Sequence, residues 1–322
     1  MESPGRGPPP RRPGGGGQCE GGQKPGAGGG EYRGLNFPTL DIATLRAVHK
    51  SIDAAYKTFS RNYGDAIESA FDPLLWLLIK FEWILLNAPW WVIVLAIAGI
   101  CYAASRRVRL SLGVIIAFLI IGVLGMWEDT MRTLAIIFVA TLIAIAIGIP
   151  LGIAMSRSNR MQAFMTPILD VMQTMPIFVY LIPVVMLFGL GKIPGLIAVV
   201  IYAVPPVIRL TNLGIRLVDQ EVLEAADAFG AGTWRRLFGV QLPLALPNIM
   251  AGVNQTIMMA LSMVVIASMI GVKGLGMPVL QAVTNQYFAL GLFNGAAVVG
   301  LAIVFDRVTQ SYGRRIQEQR QS

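Results

Sequence analysis

Apolar residues run through this chain in unbroken blocks. Seven of them, roughly 89–105, 110–127, 133–155, 175–190, 194–210, 247–271 and 289–306, predict helices near membrane-spanning length. A helix needs about 20 apolar residues to cross the ~30 Å hydrocarbon core, whereas a spanning β-barrel needs strands that alternate apolar and polar. Continuous runs therefore predict an all-α membrane protein with about seven transmembrane helices. Ahead of them, residues 41–71 are polar, yet Ile42, Leu45, Val48, Ile52 and Ala55 recur at three- and four-residue steps, the pattern of a surface helix. Residues 74–86 (LLWLLIKFEWILL) are short for a span and carry Lys80 and Glu82. An amphipathic helix lying in the interface is expected there, with a crossing as the alternative. Residues 1–37 are Gly/Pro-rich, cannot bury enough apolar surface to offset their ordering entropy, and are expected to be disordered. They lack the apolar stretch of a signal peptide.

Composition agrees with the pattern: 55% of the 322 residues are hydrophobic and only 14% charged, against about a quarter charged in soluble domains. A net charge of +8 could point to nucleic acid, but the basic residues are placed otherwise. Arg106, Arg107 and Arg109 follow the first block, and Arg157 and Arg160 the third. Arg216, Arg235 and Arg236 follow the fifth, and Arg307, Arg314, Arg315 and Arg320 the seventh. The loops between hold Glu128, Asp129 and Arg132, or Lys192, or Lys273. Short cytoplasmic loops are the ones that collect Lys and Arg. The alternation predicts an amino terminus outside and a carboxyl terminus in the cytoplasm, with lipid and not nucleic acid as the surroundings. The amino-terminal tail is basic too, but long segments translocate largely regardless of charge. Trp90, Trp91 and Trp127 fall at the expected outer boundaries, where amphipathic rings settle.

Candidate chemistry is sparse. Cys19, Cys101 and His49 have no companions at disulfide or metal-ligand spacing. The seven blocks carry essentially no central ionisable group; Asp306 is near the end of the last and Asp170 precedes the fourth. This disfavours a proton-coupled carrier, though a sodium site built from backbone carbonyls stays open. No phosphate-binding loop is present, and the glycines of FGLGKIPG have the wrong spacing. No convergent His, Asp, Cys or Ser set suggests a membrane enzyme. What is left is a conduit that is either a channel or is powered by a partner.

The segment Val218–Pro247, VDQEVLEAADAFGAGTWRRLFGVQLPLALP, is the most informative. Asp219 is placed to cap a helix whose first turns carry Glu221 and Glu224 toward the positive dipole end. Gly230 is placed to end that helix in the left-handed conformation. Thr233 is expected to cap a second short helix that Pro243 limits. Ala226 and Gly230, four apart, are expected to share one face, with Leu223 and Phe229 adding apolar contact area.

Glu224-Ala225-Ala226, then Gly230, then Val240-x-Leu242-Pro243 resembles the EAA motif of ABC importer permeases in full spacing, with Val240 where that motif has Ile. MQTMPIFVYLIPVVMLFGLGKIPGLIA (172–198), PPVIRLTNLGI (205–215) and PNIMAGVNQTIMMALSMVVIASMIGVKGLG (247–276) are similar to the glycine betaine/proline betaine permeases of the ProU and OpuA type, and the similarity covers roughly residues 110–312. The resemblance implies a type I ABC importer permease fold in the bacterial cytoplasmic (inner) membrane. It also implies a homodimer, a cytoplasmic ABC ATPase that holds ATP and Mg, a separate extracytoplasmic substrate-binding protein, and no cofactor or catalysis in this chain. Glu224, Ala225, Ala226, Gly230, Leu242 and Pro243 would couple to the ATPase. The closest rivals are an ABC permease for choline, carnitine, methionine or a sulfonate, and, from another class, a channel or secondary carrier.

The resulting plan is a tail at 1–40, a helical extracytoplasmic or interfacial region at 41–88 and peripheral spans at 89–130. A core permease domain follows at 131–310 with its coupling loop at 216–246, then a cytoplasmic tail at 311–322. Asn254, Gln255, Thr256 and Ser262 sit in an otherwise apolar block, where polar side chains either line a cavity or bond a neighbouring helix; both readings stand. Met258, Met259 and Met263 read as packing. Pro176, Pro183, Pro205 and Pro206 either break spans near the path or mark helix ends.

Overall fold

The computed structural model describes residues 41–321, and every regular element among them is a helix. The expected tail at 1–40 lies outside the described residues. The chain divides into two units, Met1–Ala54 and Ala55–Ser322. Of the first, the described part is the exposed opening of α1 (Ile42–Asn87).

The second unit holds the rest. The two segments expected at 41–71 and 74–86 are one helix, because α1 runs through Pro73 without a break. α2 (Trp90–Ser105) and α3 (Val108–Val123) form a hairpin, with Arg106 in the left-handed conformation at the turn. α4 (Trp127–Arg157) and α7 (Lys192–Arg216) are long and apolar, with half or more of their apolar stretch buried. Between them α5 (Asn159–Thr174) and α6 (Ile177–Phe188) meet at a 92° bend. α1 and α2 meet likewise at 112°. Each bend falls at a proline, Pro176 or Pro89, whose ψ of 134° is extended and ends the helical path. The segment expected to span at 175–190 is therefore a 12-residue helix. Pro183 is carried inside α6, and Pro205 and Pro206 inside α7, so those three break nothing.

α4, α7, the helix through α10 (Leu242–Ser268), and α12 (Phe288–Gln321) are each long and apolar enough to cross a membrane. The two bent pairs bring the count to as many as six, and α3 adds a shorter apolar helix.

Small residues set the packing of the centre. A Cβ on Gly152 of α4 would lie 2.6 Å from Thr211 Cβ of α7, so the two backbones touch. Gly148 faces Val207 four residues earlier on both helices, which makes α4 and α7 parallel. Gly252 of α10 abuts Val207, and Gly214 abuts Asn248, so α10 runs antiparallel to α7. Met131, Ala135, Ala140, Ala198, Ala203, Val207, Ala260 and Met263 are completely buried at these contacts. Met258 and Met259 pack against the same core, as expected of Met263 as well.

These directions sort the charges. At one end Glu82 of α1 pairs with Lys192 at 2.7 Å and meets Arg132 at 4.0 Å, while Arg132 also holds Glu128 and Asp129. There the Thr133 hydroxyl accepts from the Leu275 N–H, and the Gly191 N–H donates to the Ile270 carbonyl. α11 (Gly276–Asn285), not foreseen as a helix, follows at that end. The opposite end carries Arg157, Arg216, Arg235 and Arg236. Phe118 of α3 meets Trp127 edge-on at the acidic end, so the Arg106–Arg109 turn belongs to the basic end. The basic loops picked out between the blocks thus share one end.

Candidate functional site

α8 (Gln220–Ala228) projects from the basic end, and its nine residues contain Glu224, Ala225 and Ala226. Asp219 begins it as expected: the side chain accepts from the Glu221 N–H at 3.0 Å. Gly230 closes it at φ +75°, with the Ala231 N–H donating to the Ala226 carbonyl and the Gly230 N–H to the Asp227 carbonyl. That is a Schellman pair, and it gives the E-A-A-x-x-x-G spacing a physical meaning. The second alanine supplies the carbonyl that the turn must satisfy, and only glycine takes the left-handed backbone without strain. Gly230 consequently lies past the helix and does not share a helical face with Ala226, contrary to expectation.

The loop departs from expectation in three other ways. Leu223 is buried and anchors α8 inward, so it is not contact area. Phe229 is 94% exposed and is the free apolar surface. The cap of α9 (Thr233–Arg236) is Gly232, without a side-chain bond, and Thr233 opens the helix. Pro243 does not stop it: a π turn over Leu237–Gln241 leads directly into α10. In that turn the Leu242 N–H reaches the Leu237 carbonyl, five residues back. The wider turn makes room for a ring that would otherwise strike the carbonyl of the preceding turn.

Three contacts fasten this loop. Asp227 of α8 pairs with Arg236 of α9 at 2.7 Å. The Arg157 guanidinium at the end of α4 sits 5.2 Å over the Trp234 ring, which stacks on Phe238. Arg216 of α7 donates from Nη2 to the Met155 carbonyl in the last turn of α4, and from Nε to Asn212 Oδ1. A cation there satisfies an orphan carbonyl and suits the negative end of the helix dipole.

The structure does not bring the four polar residues of α10 together. Asn254 Nδ2 donates to Asp306 Oδ1 at 2.9 Å and its Oδ1 accepts from the Thr309 hydroxyl, bonding α10 to α12. An open pocket of about 330 Å³ lies alongside, lined in part by Pro247, Met250 and Gln310. Thr256 is wholly buried, and its hydroxyl has no partner among the described residues. Gln255 and Ser262, seven apart, share an exposed face, with Ser262 donating to the Met258 carbonyl of its own helix.

One residue escaped the sequence reading. Arg209 lies inside α7, and its Nη2 donates to Asp170 Oδ1 of α5 at 2.6 Å. A charge within the 194–210 block was the available signal. Among the described residues there is no group of three or more His, Cys, Asp or Glu placed to hold a metal.

Known proteins match this arrangement. Residues 144–318 fit the family described as "Binding-protein-dependent transport system inner membrane component". The chain is 46% identical over 285 residues to the glycine betaine/carnitine transport permease protein GbuB of Listeria monocytogenes, covering 87% of this chain and 98% of that one. It is 48% identical over 242 residues to the glycine betaine/proline betaine permease ProW of Escherichia coli (75% and 68% covered). It is also 48% identical over 214 residues to the glycine betaine permease OpuAB of Bacillus subtilis (66% and 76% covered). Among solved structures, an inward-facing MetNI methionine ABC transporter aligns with a TM-score of 0.53 at 19% identity, over 57% of this chain and 93% of that one, which establishes the fold. The chain is an integral membrane protein and belongs to the binding-protein-dependent transport system inner membrane component family, the permease subunits of ABC transporters.

Proposed function

We propose that this chain imports glycine betaine, proline betaine and related compatible solutes as the permease of an ATP-driven importer. It works as a homodimer in the bacterial cytoplasmic membrane, with its amino terminus outside and its carboxyl terminus inside. The substrate reading draws its support from relatives at 46–48% identity that are named for glycine betaine. The observation that carries the coupling is α8: a short, capped helix at the basic end, presenting Glu224, Ala225 and the bare Phe229 ring.

The ATPase binds ATP and Mg; this chain hydrolyses nothing. Closure of two ATPase subunits pulls the two α8 helices together. Asp227–Arg236 and Trp234 under Arg157 pass that displacement to α4 and α10, and Arg216 ties α7 to the same end of α4. The long helices then part at the acidic end to receive solute from the docked binding protein, and hydrolysis returns them. Glu224, Ala225, Ala226 and Gly230 form the docking helix, and Leu242 and Pro243 continue its support into α10. Gln255 and Ser262 face the pathway, while Asn254 holds α10 to α12 and Thr256 is packed in the core.

Uptake of radiolabelled glycine betaine into vesicles that hold this chain, its ATPase and its binding protein tests this. ATP-dependent accumulation competed by proline betaine is the expected result. A panel with carnitine as competitor is included, because one relative is named for carnitine as well. Accumulation without any ATPase would overturn the importer reading.

A further inference from the structure

Resting on the betaine reading, we infer that Arg209 is a carboxylate-binding station on the translocation pathway and that Asp170 is its resident, displaceable counter-ion.

Arg209 is seven residues before Arg216, the end of α7, which puts it about 10 Å inward along the helix axis. Charges at membrane depth face either the bundle interior or a water-filled cavity, because lipid exposure is costly. The interior is excluded here: the Arg209 and Asp170 side chains are 37% and 56% exposed on the surface of the subunit. A long Arg can reach toward the interface, but the short Asp170 carboxylate cannot follow it. An aqueous cavity is the surface that suits both.

The pairing is also incomplete. Asp170 takes Nη2 through one oxygen, Oδ1, and the buried Arg209 Nε has no hydrogen-bond partner among the described residues. A carboxylate that engages guanidinium fully takes Nε and Nη2 together in a two-pronged grip. Half of that grip stands unused. A zwitterion arriving with a free carboxylate meets the exposed part of the guanidinium first, competes with Asp170 for Nη2, and completes the grip once the buried Nε turns out to it. Asp170 in turn displaces it, which keeps the affinity low enough for release. The quaternary ammonium end needs no charged partner at this point, since Asp170, once displaced, remains close enough to balance it.

Transport by the reconstituted complex separates this from a purely structural ion pair. Arg209→Gln is expected to cut ATP-dependent betaine uptake at least about tenfold, the scale of one lost charge-assisted contact. Asp170→Asn removes the competitor, so uptake persists with an unchanged or lower half-saturating concentration. The exchanged pair, Arg209→Asp with Asp170→Arg, restores the ion pair but not the uptake. Recovery of wild-type uptake in the exchanged pair, or its loss in a folded Asp170→Asn, would overturn the inference by making the pair a brace between α5 and α7. If Arg209→Gln fails to insert, the Asp170→Asn and exchanged variants still decide. A wild-type complex that accumulates no betaine would instead sink the substrate reading, and the inference with it.

Discussion

A methyl group added at Gly152 has no place to go. It would stand 2.6 Å from Thr211 Cβ and 2.8 Å from the Ile208 carbonyl oxygen, and the latter is backbone that cannot swing aside. Gly152→Ala must therefore part α4 from α7, a change of the overpacking kind that costs about 1–3 kcal/mol. Gly99 in α2 has nothing within 4 Å of the same added group, so Gly99→Ala gains helix propensity without a clash. The expected outcome is a lower unfolding midpoint for Gly152→Ala and an equal or higher one for Gly99→Ala, read on detergent-purified protein. Equal midpoints for both would mean that the α4–α7 contact yields to the added methyl group. The sequence offers no way to tell these two glycines apart, because each sits in an apolar run; only the neighbouring helix distinguishes them.

Within the loop between α7 and α10, α8 is held by few contacts, and each can be cut separately. Glu224 is exposed on α8 and makes no side-chain bond among the described residues that the helix needs for its own structure. Glu224→Lys should insert normally and abolish uptake; wild-type uptake would count against a coupling role. Trp234→Ala removes the ring under Arg157 and its stack on Phe238, a loss of about 0.5–1 kcal/mol at an exposed site. That is too little to unfold the chain. It is enough to slacken the link between α8 and α4, so ATP hydrolysis continues while solute moved per ATP falls severalfold. Trp234→Phe, which keeps a ring, restores most of it. A parallel fall in hydrolysis and uptake would show that the ring serves assembly instead. The start and end of α8 were legible in Asp219 and Gly230, since capping is local chemistry. Pro243 was misread as a stop because its effect depends on whether the preceding turn is α or π, and that is settled by how α10 packs on α7. Leu223 and Phe229 were read as equivalent for the same reason: which apolar side chain turns inward is decided by neighbours distant in sequence. Arg209–Asp170 spans 39 residues and was invisible until α5 folded against α7.

For the whole molecule, orientation follows from where the helix directions carry the charges. Parallel α4 and α7, with α10 antiparallel to both, put Arg157, Arg216 and the α8–α9 loop at one end. Glu82, Glu128, Asp129 and the Thr133–Leu275 bond lie at the other, where Arg132 and Lys192 are matched by carboxylates. The alternation read along the sequence is thus a real segregation in space, and it was legible early because loop charge needs no tertiary information. Collecting Lys and Arg in short loops on the cytoplasmic face is the rule for helical membrane proteins. On that rule the α8 end is expected to face the cytoplasm, where an ATPase can reach it. Cysteine labelling checks this directly. In a background with Cys19→Ser and Cys101→Ser, Lys273→Cys is exposed at the acidic end and Phe229→Cys at the basic end. A membrane-impermeant maleimide should label Lys273→Cys in intact cells, and Phe229→Cys only after lysis. The reverse pattern would turn the molecule over, place α8 out of reach of any cytoplasmic ATPase, and remove the physical basis for ATP-driven import.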